Sequence, residues 1–423
     1  MPPTLATAST AHTPGRRNDL DWIRVAAFGL LILYHVGLVY APWDWHVHSA
    51  HSYAWLQPAS LITSPWRLTL LFLVSGAAVR LMSRRLTPGA VLKSRMARLA
   101  PPLIFGVLVL VPPQSFIEAV SKGSWSQGFG AWWLSEFSPA GLADGVPLNH
   151  LWFVLYIGVY TLAAAALLAA PKVLAGLELL LDRALTGWRA LAVPILYLAV
   201  VRQLLFPWFG LSNHLPVDWY NHAVSLAAFL AGFALVGNAG FWSTLERLRW
   251  VALGLAAVAL PLLMALEVHP GGMAFGGLVK NTMHAIDQWA VMAAILGFGS
   301  RHLRAAQGPA LGYLTQAIFP CYLAHQTILV AVAAWLKPAG LPVAAEAPLL
   351  IAATLGGSLL VYEAVRRVDW MRPLWGLKPA PRRPTPVATA PALTLIAANP
   401  APAPEPVLRV EPALREEKAR RAG

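Results

Sequence analysis

The chain has 423 residues, of which 57% are hydrophobic and only 12% are charged, and its mean hydropathy is +0.57. Soluble domains carry about 25% charged residues, so this composition excludes an ordinary soluble protein and indicates a polytopic membrane protein. The net charge of +13 does not indicate a nucleic-acid partner, because the basic residues lie at helix ends and in the C-terminal tail. The single cysteine, Cys321, excludes an intrachain disulfide and a cysteine-based metal site.

Apolar stretches long enough to cross a bilayer recur along the chain. About ten have the length that ~30 Å of hydrocarbon requires, at 22–40, 62–82, 99–118, 151–171, 189–206, 222–238, 250–267, 281–300, 311–335 and 348–365. We therefore predict an all-α, polytopic integral membrane protein with about ten transmembrane helices. The residues before Trp22 are polar, so the first span is predicted to be an uncleaved anchor rather than a signal peptide.

Lysine and arginine are distributed unequally between alternate loops. One set of loops is rich in them, whereas the opposite set holds little beyond Arg67, Lys122, Lys280 and Lys337. The positive-inside rule then places both termini in the cytoplasm. Polar or Pro/Ala-rich composition predicts disordered cytoplasmic segments at 1–18 and 373–423, on either side of a membrane domain at 19–372.

Arg24 and His35 stand eleven residues apart within the first span. Eleven residues turn an α-helix through about three turns, so both side chains lie on one face, about 16 Å apart along the axis. Ionisable groups inside a membrane helix are costly and indicate function, and a histidine can exchange a proton near neutral pH. The pair predicts a membrane enzyme with a cation near one surface and a base in the interior. A structural histidine bonded to a neighbouring helix is the alternative.

Arg95 and Arg98 precede the apolar part of the third span, three residues apart. This spacing puts both guanidinium groups on one helical face, where they could grip phosphates. Taken alone, the position favours positive-inside anchoring.

Several motifs resemble the acyltransferase-3 family of integral-membrane O-acyltransferases. They are the R-x10-H of LDWIRVAAFGLLILYHVGLVY, the F-x-x-SG of LLFLVSGAAVR, and the R-x-x-R of RMAR at 95–98. The likeness runs from about residue 19 to 372 and is greatest to the glucan succinyltransferase branch, the glucans biosynthesis protein C group. The motifs behind that branch are WHVHS at 45–49, PWRLTLLFLVSG at 65–76, HLWFVL at 150–155 and FPCYLAHQT at 319–327.

The resemblance implies acyl transfer from a cytoplasmic acyl-CoA, either succinyl-CoA or acetyl-CoA, to a hydroxyl of a periplasmic saccharide at the bacterial inner membrane. By position, His35 would be the catalytic histidine, and the acyl-CoA would be bound by Arg24, Arg95 and Arg98. Neutral His35 would accept the hydroxyl proton as the saccharide oxygen attacks the thioester, and an acyl-histidine route stays open. Ser75 is a candidate oxyanion donor. No bound cofactor is expected.

Other polar residues are candidates for binding the acceptor. They are Trp45, His46, His150, Trp152, Lys280, His284, Asp287 and His325. Three of them form a polar stripe on the eighth span, which could orient a saccharide or bind a succinyl carboxylate through Lys280. Interhelical hydrogen bonds would explain the stripe equally well. Asp44 and three nearby histidines have only a weak metal-like spacing, and we predict no metal site.

Two functions compete with glucan succinylation. O-acetylation of an exopolysaccharide or lipid-linked glycan would use the same catalytic residues and differ only at the acceptor loops. These loops are rich in aromatic residues, at 42–53, 124–137 and 207–222, and could contact carbohydrate or belong to the interfacial aromatic belt. A glycan transporter without chemistry of its own is the alternative from another class, and the absence of detectable sequence repeats argues against it.

Overall fold

The computed structural model describes residues 17–269 and 276–379, and within these ranges the chain is helical, with no strand. The α-helices in this part of the chain are α1 (Asn18–Leu38), α2 (Leu56–Ser60), α3 (Arg67–Ser83), α4 (Pro88–Phe105), α5 (Pro112–Ser121), α6 (Phe129–Glu136), α7 (Trp152–Ala169), α8 (Pro171–Ala184), α9 (Arg189–Phe209), α10 (Trp219–Leu235), α11 (Ala239–Val268), α12 (Gly276–His302), α13 (Pro309–Leu336) and α14 (Val343–Val365). The all-α prediction is confirmed for these residues. The predicted disordered segments fall outside them, except at their inner edges.

Among the described residues, 7 helical stretches are long and apolar enough to cross a membrane. They are Asn18–Leu38, Pro88–Ser121, Asn149–Ala169, Arg189–Phe209, Ala239–Val268, Pro309–Ala339 and Val343–Val365. The other predicted spans coincide with α3, α10 and α12, which do not meet the same criteria. Helices α3 and α10 are only 17 residues long. The chain is a multi-pass membrane protein, while the count of ten and the cytoplasmic termini stay predictions.

Helices α3 and α10 approach each other closely because each presents a glycine to the other. A Cβ atom added at Gly76 would lie 1.8 Å from the carbonyl oxygen of Phe229, and one added at Gly232 would lie 1.9 Å from that of Leu73. Small residues allow such contacts between membrane helices, where packing replaces the hydrophobic effect as the driving force. The contact fixes α3, and successive helical residues point about 100° apart, so Ser75 is turned away from α10.

A bend separates α4 from α5. Pro101 and Pro102 lie inside α4, and the π-helical turn Gly106–Leu110 follows it. Proline removes a backbone donor, and both features bend helices. The bend is tied to α13, because the Gln114 amide donates to Thr327 Oγ1 over 2.7 Å, and that hydroxyl donates to the Leu110 carbonyl over 2.8 Å.

The ordered part of the domain extends past the boundary predicted at residue 372. Pro373–Trp375 forms a 3₁₀ turn, and Trp375 is buried against Phe105, with ring centroids 5.5 Å apart. Arg98 Nε donates to the Gly376 carbonyl over 3.0 Å, and Gly376 has a φ of +68°. The segment that follows α14 therefore packs beside α4 and helps to hold Arg98 in place.

Candidate functional site

A cavity of about 510 Å³ is enclosed mainly by α1, α3, α4, α7 and α13. The predicted site residues that line it are Arg24, His35, Trp45, His46, Ser75, Arg95, Arg98, His150 and Trp152. It begins at arginines in the first turns of α1 and along α4, and it ends at loop residues beyond the end of α1. The cavity thus reaches from the predicted cytoplasmic side toward the opposite side of the membrane.

Three arginines make the first end of the cavity strongly cationic. Arg24, Arg95 and Arg98 all line it. Arg24 Nη2 lies 3.5 Å from Asp21 Oδ1, one turn earlier on α1. Guanidinium groups bind phosphate and carboxylate through charge-assisted hydrogen bonds. This end of the cavity can therefore hold a polyanion.

His35 and His325 form a hydrogen-bonded pair deep in the protein. Their rings are stacked with centroids 5.2 Å apart, and His35 Nδ1 lies 3.0 Å from His325 Nε2. His325 Nδ1 lies 2.6 Å from the Tyr322 carbonyl oxygen, which can only accept, so this nitrogen carries a proton. In neutral His325 the Nε2 atom then accepts from His35 Nδ1–H. The chain of bonds leaves the Nε2 lone pair of His35 available as a base.

His150 lies beside this pair. Its ring centroid is 5.2 Å from that of His325, and its Nε2–H donates to the Leu323 carbonyl over 3.2 Å. The Tyr322 hydroxyl donates to the His150 carbonyl, which fixes the start of α7 against α13. His150 Nδ1 is buried and has no hydrogen-bond partner among the described residues. His150 also lines the cavity, and in this tautomer its Nδ1 is an acceptor.

The loop after α1 closes the outer end of the cavity. The Trp45 ring stacks on His35, with centroids 5.5 Å apart and an interplanar angle of 20°. Beside it, His46 Nδ1 donates to the Glu118 carboxylate, and the Gln326 amide lies 2.9 Å from His46 Nε2. His46 is thus held from two sides. An aromatic ring stacked on His35 at the edge of the cavity is well placed to contact the apolar face of a sugar.

Asp44, one of the residues with metal-like spacing, is paired with a lysine. Lys122 Nζ donates to Asp44 over 2.7 Å and to Glu118 over 2.6 Å. These hydrogen bonds raise the pKa of the Lys122 ammonium group, which therefore stays charged and crosslinks the loop to α5. Within residues 17–269 and 276–379, no group of three or more His, Cys, Asp and Glu side chains is arranged to hold a metal ion.

Lys280, His284 and Asp287 do not line the cavity, and their role in acceptor binding stays a prediction. Lys280 pairs with Glu267 over 2.7 Å instead. The reason is the packing of α12, which lies against α11 and α9 along this face. Spacing on one helix predicted the stripe correctly but could not say which helix it would meet.

Arg67 is the main site residue that the sequence analysis missed. It begins α3, is only 2% exposed, and lines the cavity. Asn149 and Asn213 also line it, with φ values of +41° and +56°, which non-glycine residues rarely adopt. The charge pattern of the loops places Arg67 only among the few basic residues of the outer side. The sequence did hold one signal for Arg67. It lies within the PWRLTLLFLVSG motif, on the side of the membrane where basic residues are rare.

Comparison with known proteins identifies the class of protein. Residues 17–363 match the model of the acyltransferase-3 family, described as an acyltransferase domain. The chain therefore belongs to that family and is a membrane acyltransferase. The family resemblance found in the motifs is confirmed.

The chain is similar to proteins named glucans biosynthesis protein C. The protein of that name from Escherichia coli strain K12 is 23% identical over 384 residues, which cover 87% of this chain and 96% of the relative. The one from Escherichia coli O6:K15:H31 is 23% identical over 387 residues, with the same coverage. No solved structure matches the chain.

Proposed function

We propose that the protein transfers an acyl group from a cytoplasmic acyl-CoA to hydroxyl groups of a periplasmic glucan, with His35 as the general base. The observation that carries the proposal is the cavity, which joins the Arg24, Arg95 and Arg98 cluster to His35 and to the outer loops. A donor and an acceptor that approach from opposite sides of a membrane need such a shared space.

The arginine cluster suits the donor. Coenzyme A carries its phosphates at one end and the thioester at the end of a long, mostly neutral arm. Arg24 and His35 are separated by about 16 Å along α1, so phosphates held at the cluster would leave the arm to reach toward His35. The apolar lining between them, which includes Phe28 and Leu31, suits an uncharged arm.

The reaction then needs one proton transfer in each direction. His35 Nε2 takes the proton of an acceptor hydroxyl while the hydroxyl oxygen attacks the thioester carbonyl carbon. The carbon–sulfur bond breaks, the ester forms, and the departing thiolate takes the proton back from His35. His325 accepts from His35 Nδ1–H throughout and so keeps Nε2 directed at the substrate. A route through an acyl-histidine would use the same atoms.

The remaining cavity residues are assigned by chemistry. Ser75 lines the cavity, and its hydroxyl is the proposed donor to the developing oxyanion. Trp45 and Trp152 are proposed to stack on sugar rings, and His150 Nδ1 to accept from a sugar hydroxyl. The glucan acceptor is supported by the name of the relatives, glucans biosynthesis protein C, and the succinyl group by the branch resemblance.

The test uses a host strain that lacks its own periplasmic-glucan acyltransferase. Mass spectrometry should find acyl adducts on the glucans when the strain carries this chain, and none when it carries His35→Ala. His284→Ala, which removes a histidine outside the cavity, is the matched control and should restore the adducts. Unchanged glucans in every strain would reject the glucan acceptor.

Purified protein separates the enzyme from a transporter. The wild type should bind acyl-CoA and release free coenzyme A in the presence of acceptor, and His35→Ala should bind without release. A protein that neither binds nor consumes acyl-CoA would favour the transporter. Acetyl adducts on exported or lipid-linked glycans, with none on glucans, would favour the O-acetyltransferase.

A further inference from the structure

Arg67 is a buried cation without an anionic partner among the described residues. Its side chain is 2% exposed. Nη1 donates to Thr63 Oγ1 over 2.8 Å, and the guanidinium lies over the Tyr34 ring, 4.2 Å from the centroid. Nε is buried and has no hydrogen-bond partner within residues 17–269 and 276–379, and no carboxylate there pairs with this side chain.

Other buried arginines of this chain are better satisfied. Arg17 pairs with Asp19 over 2.6 Å. Arg202 donates from Nε to Asn281 over 3.1 Å and from Nη1 to the Tyr220 hydroxyl over 2.9 Å, and it does not line the cavity. A buried charge is costly unless it is paired and hydrogen-bonded. Arg67 thus has the chemistry of an anion-binding site.

The position of Arg67 separates it from the phosphate-binding cluster. Its guanidinium covers Tyr34, the residue next to His35 on α1. Tyr34 lies ten residues beyond Arg24, which corresponds to about 15 Å along the helix. An anion at Arg67 therefore lies near the base, at the far end of the donor from the coenzyme A phosphates.

On the basis of the proposed function, we infer that Arg67 binds the free carboxylate of a dicarboxylic acyl group, such as succinyl, and so selects this group over a neutral acyl chain. The guanidinium can bind a carboxylate through two parallel hydrogen bonds. Lys280, the residue assigned to this role from the sequence, is paired with Glu267 and lies outside the cavity.

The test compares donors on the same protein preparation. Wild type and Arg67→Gln are given succinyl-CoA, its neutral monomethyl ester and butyryl-CoA, each with glucan as acceptor, and kcat/KM is measured from coenzyme A release. Hydrogen bonds to charged groups are strong enough that Arg67→Gln should lower succinyl transfer roughly 10- to 100-fold. Transfer from the two neutral donors should change less than about threefold. Arg202→Gln is the control and should leave the ratio between donors unchanged.

The ratio between donors does not depend on how much of the protein is folded, since each preparation reports on all donors. Where Arg67→Gln gives no folded protein, Arg67→Lys decides, because it keeps the charge but loses the two-pronged geometry and should shift the ratio in the same direction. An unchanged ratio overturns the inference. An equal loss with all donors also overturns it and assigns Arg67 to the oxyanion or the acceptor. A wild type that transfers no acyl group rejects the proposed function itself.

Discussion

Replacement of His325 by phenylalanine tests whether this residue positions the base. Phenylalanine keeps a flat ring against Phe28, whose centroid lies 5.8 Å from that of His325. It removes the acceptor that His35 Nδ1–H meets at 3.0 Å. An unsatisfied buried donor costs about 1–3 kcal/mol, so the productive form of His35 should become roughly 5- to 150-fold rarer. We expect kcat to fall by that factor.

The assay is coenzyme A release by purified protein at saturating acyl-CoA, with KM measured separately. KM for acyl-CoA should stay near its wild-type value, because His325 lies away from the arginine cluster. His325→Gln offers an amide oxygen near the former Nε2 position and should recover part of the activity. A folded His325→Phe protein with wild-type kcat would refute the hydrogen-bonded pair as the source of the base's orientation.

Three further changes test other parts of the molecule. Arg95→Gln with Arg98→Gln should raise the acyl-CoA dissociation constant, measured by calorimetry, roughly 10- to 100-fold while acceptor affinity stays constant. Gly76→Ala should lower the unfolding temperature and the folded yield, because the added Cβ meets a backbone carbonyl of α10, whereas Gly29→Ala has open space. Lys280→Gln should leave kcat and donor preference unchanged, because Lys280 pairs with Glu267 and both residues lie outside the cavity.

Each of these expectations has a contrary result. Unchanged acyl-CoA binding would reduce the two arginines to topological anchors. Equal melting behaviour of the two glycine variants would show that α3 and α10 can separate without cost. If Lys280→Gln lost succinyl transfer and Arg67→Gln did not, the succinyl carboxylate would be bound by α12 instead of Arg67.

The helices were predictable from apolarity, but their limits were not. The second span was predicted at 62–82, yet α3 begins only at Arg67. Pro65 and the turns around it precede the helix, and proline lacks the backbone donor that an earlier start would need. Composition also predicts that Trp375 belongs to the C-terminal tail. The tertiary contact with Phe105 that buries this ring cannot be read from composition.

Residues of the site were predictable where one helix carried the information. The spacing of Arg24 and His35 settled that they share a face, and both line the cavity. The hydrogen bond between His35 and His325 joins residues 290 positions apart, which no spacing on one helix can predict. Only the FPCYLAHQT motif indicated that His325 belongs to the site. Arg67 was hidden for another reason, since a count of charges by loop cannot distinguish an exposed anchor from a buried cation.

A neutral partner for the proposed base, His35, suits a site inside a membrane. An aspartate in the place of His325 would bring a permanent charge into a low-dielectric interior, where an unpaired carboxylate is costly. His325 orients His35 with no net charge, because the Tyr322 carbonyl satisfies its own donor. In the proposed mechanism, positive charge on His35 arises only while it holds the proton of the acceptor. The charged groups that remain in the cavity, at the arginine cluster and at Arg67, lie where the proposed substrate supplies the opposite charge.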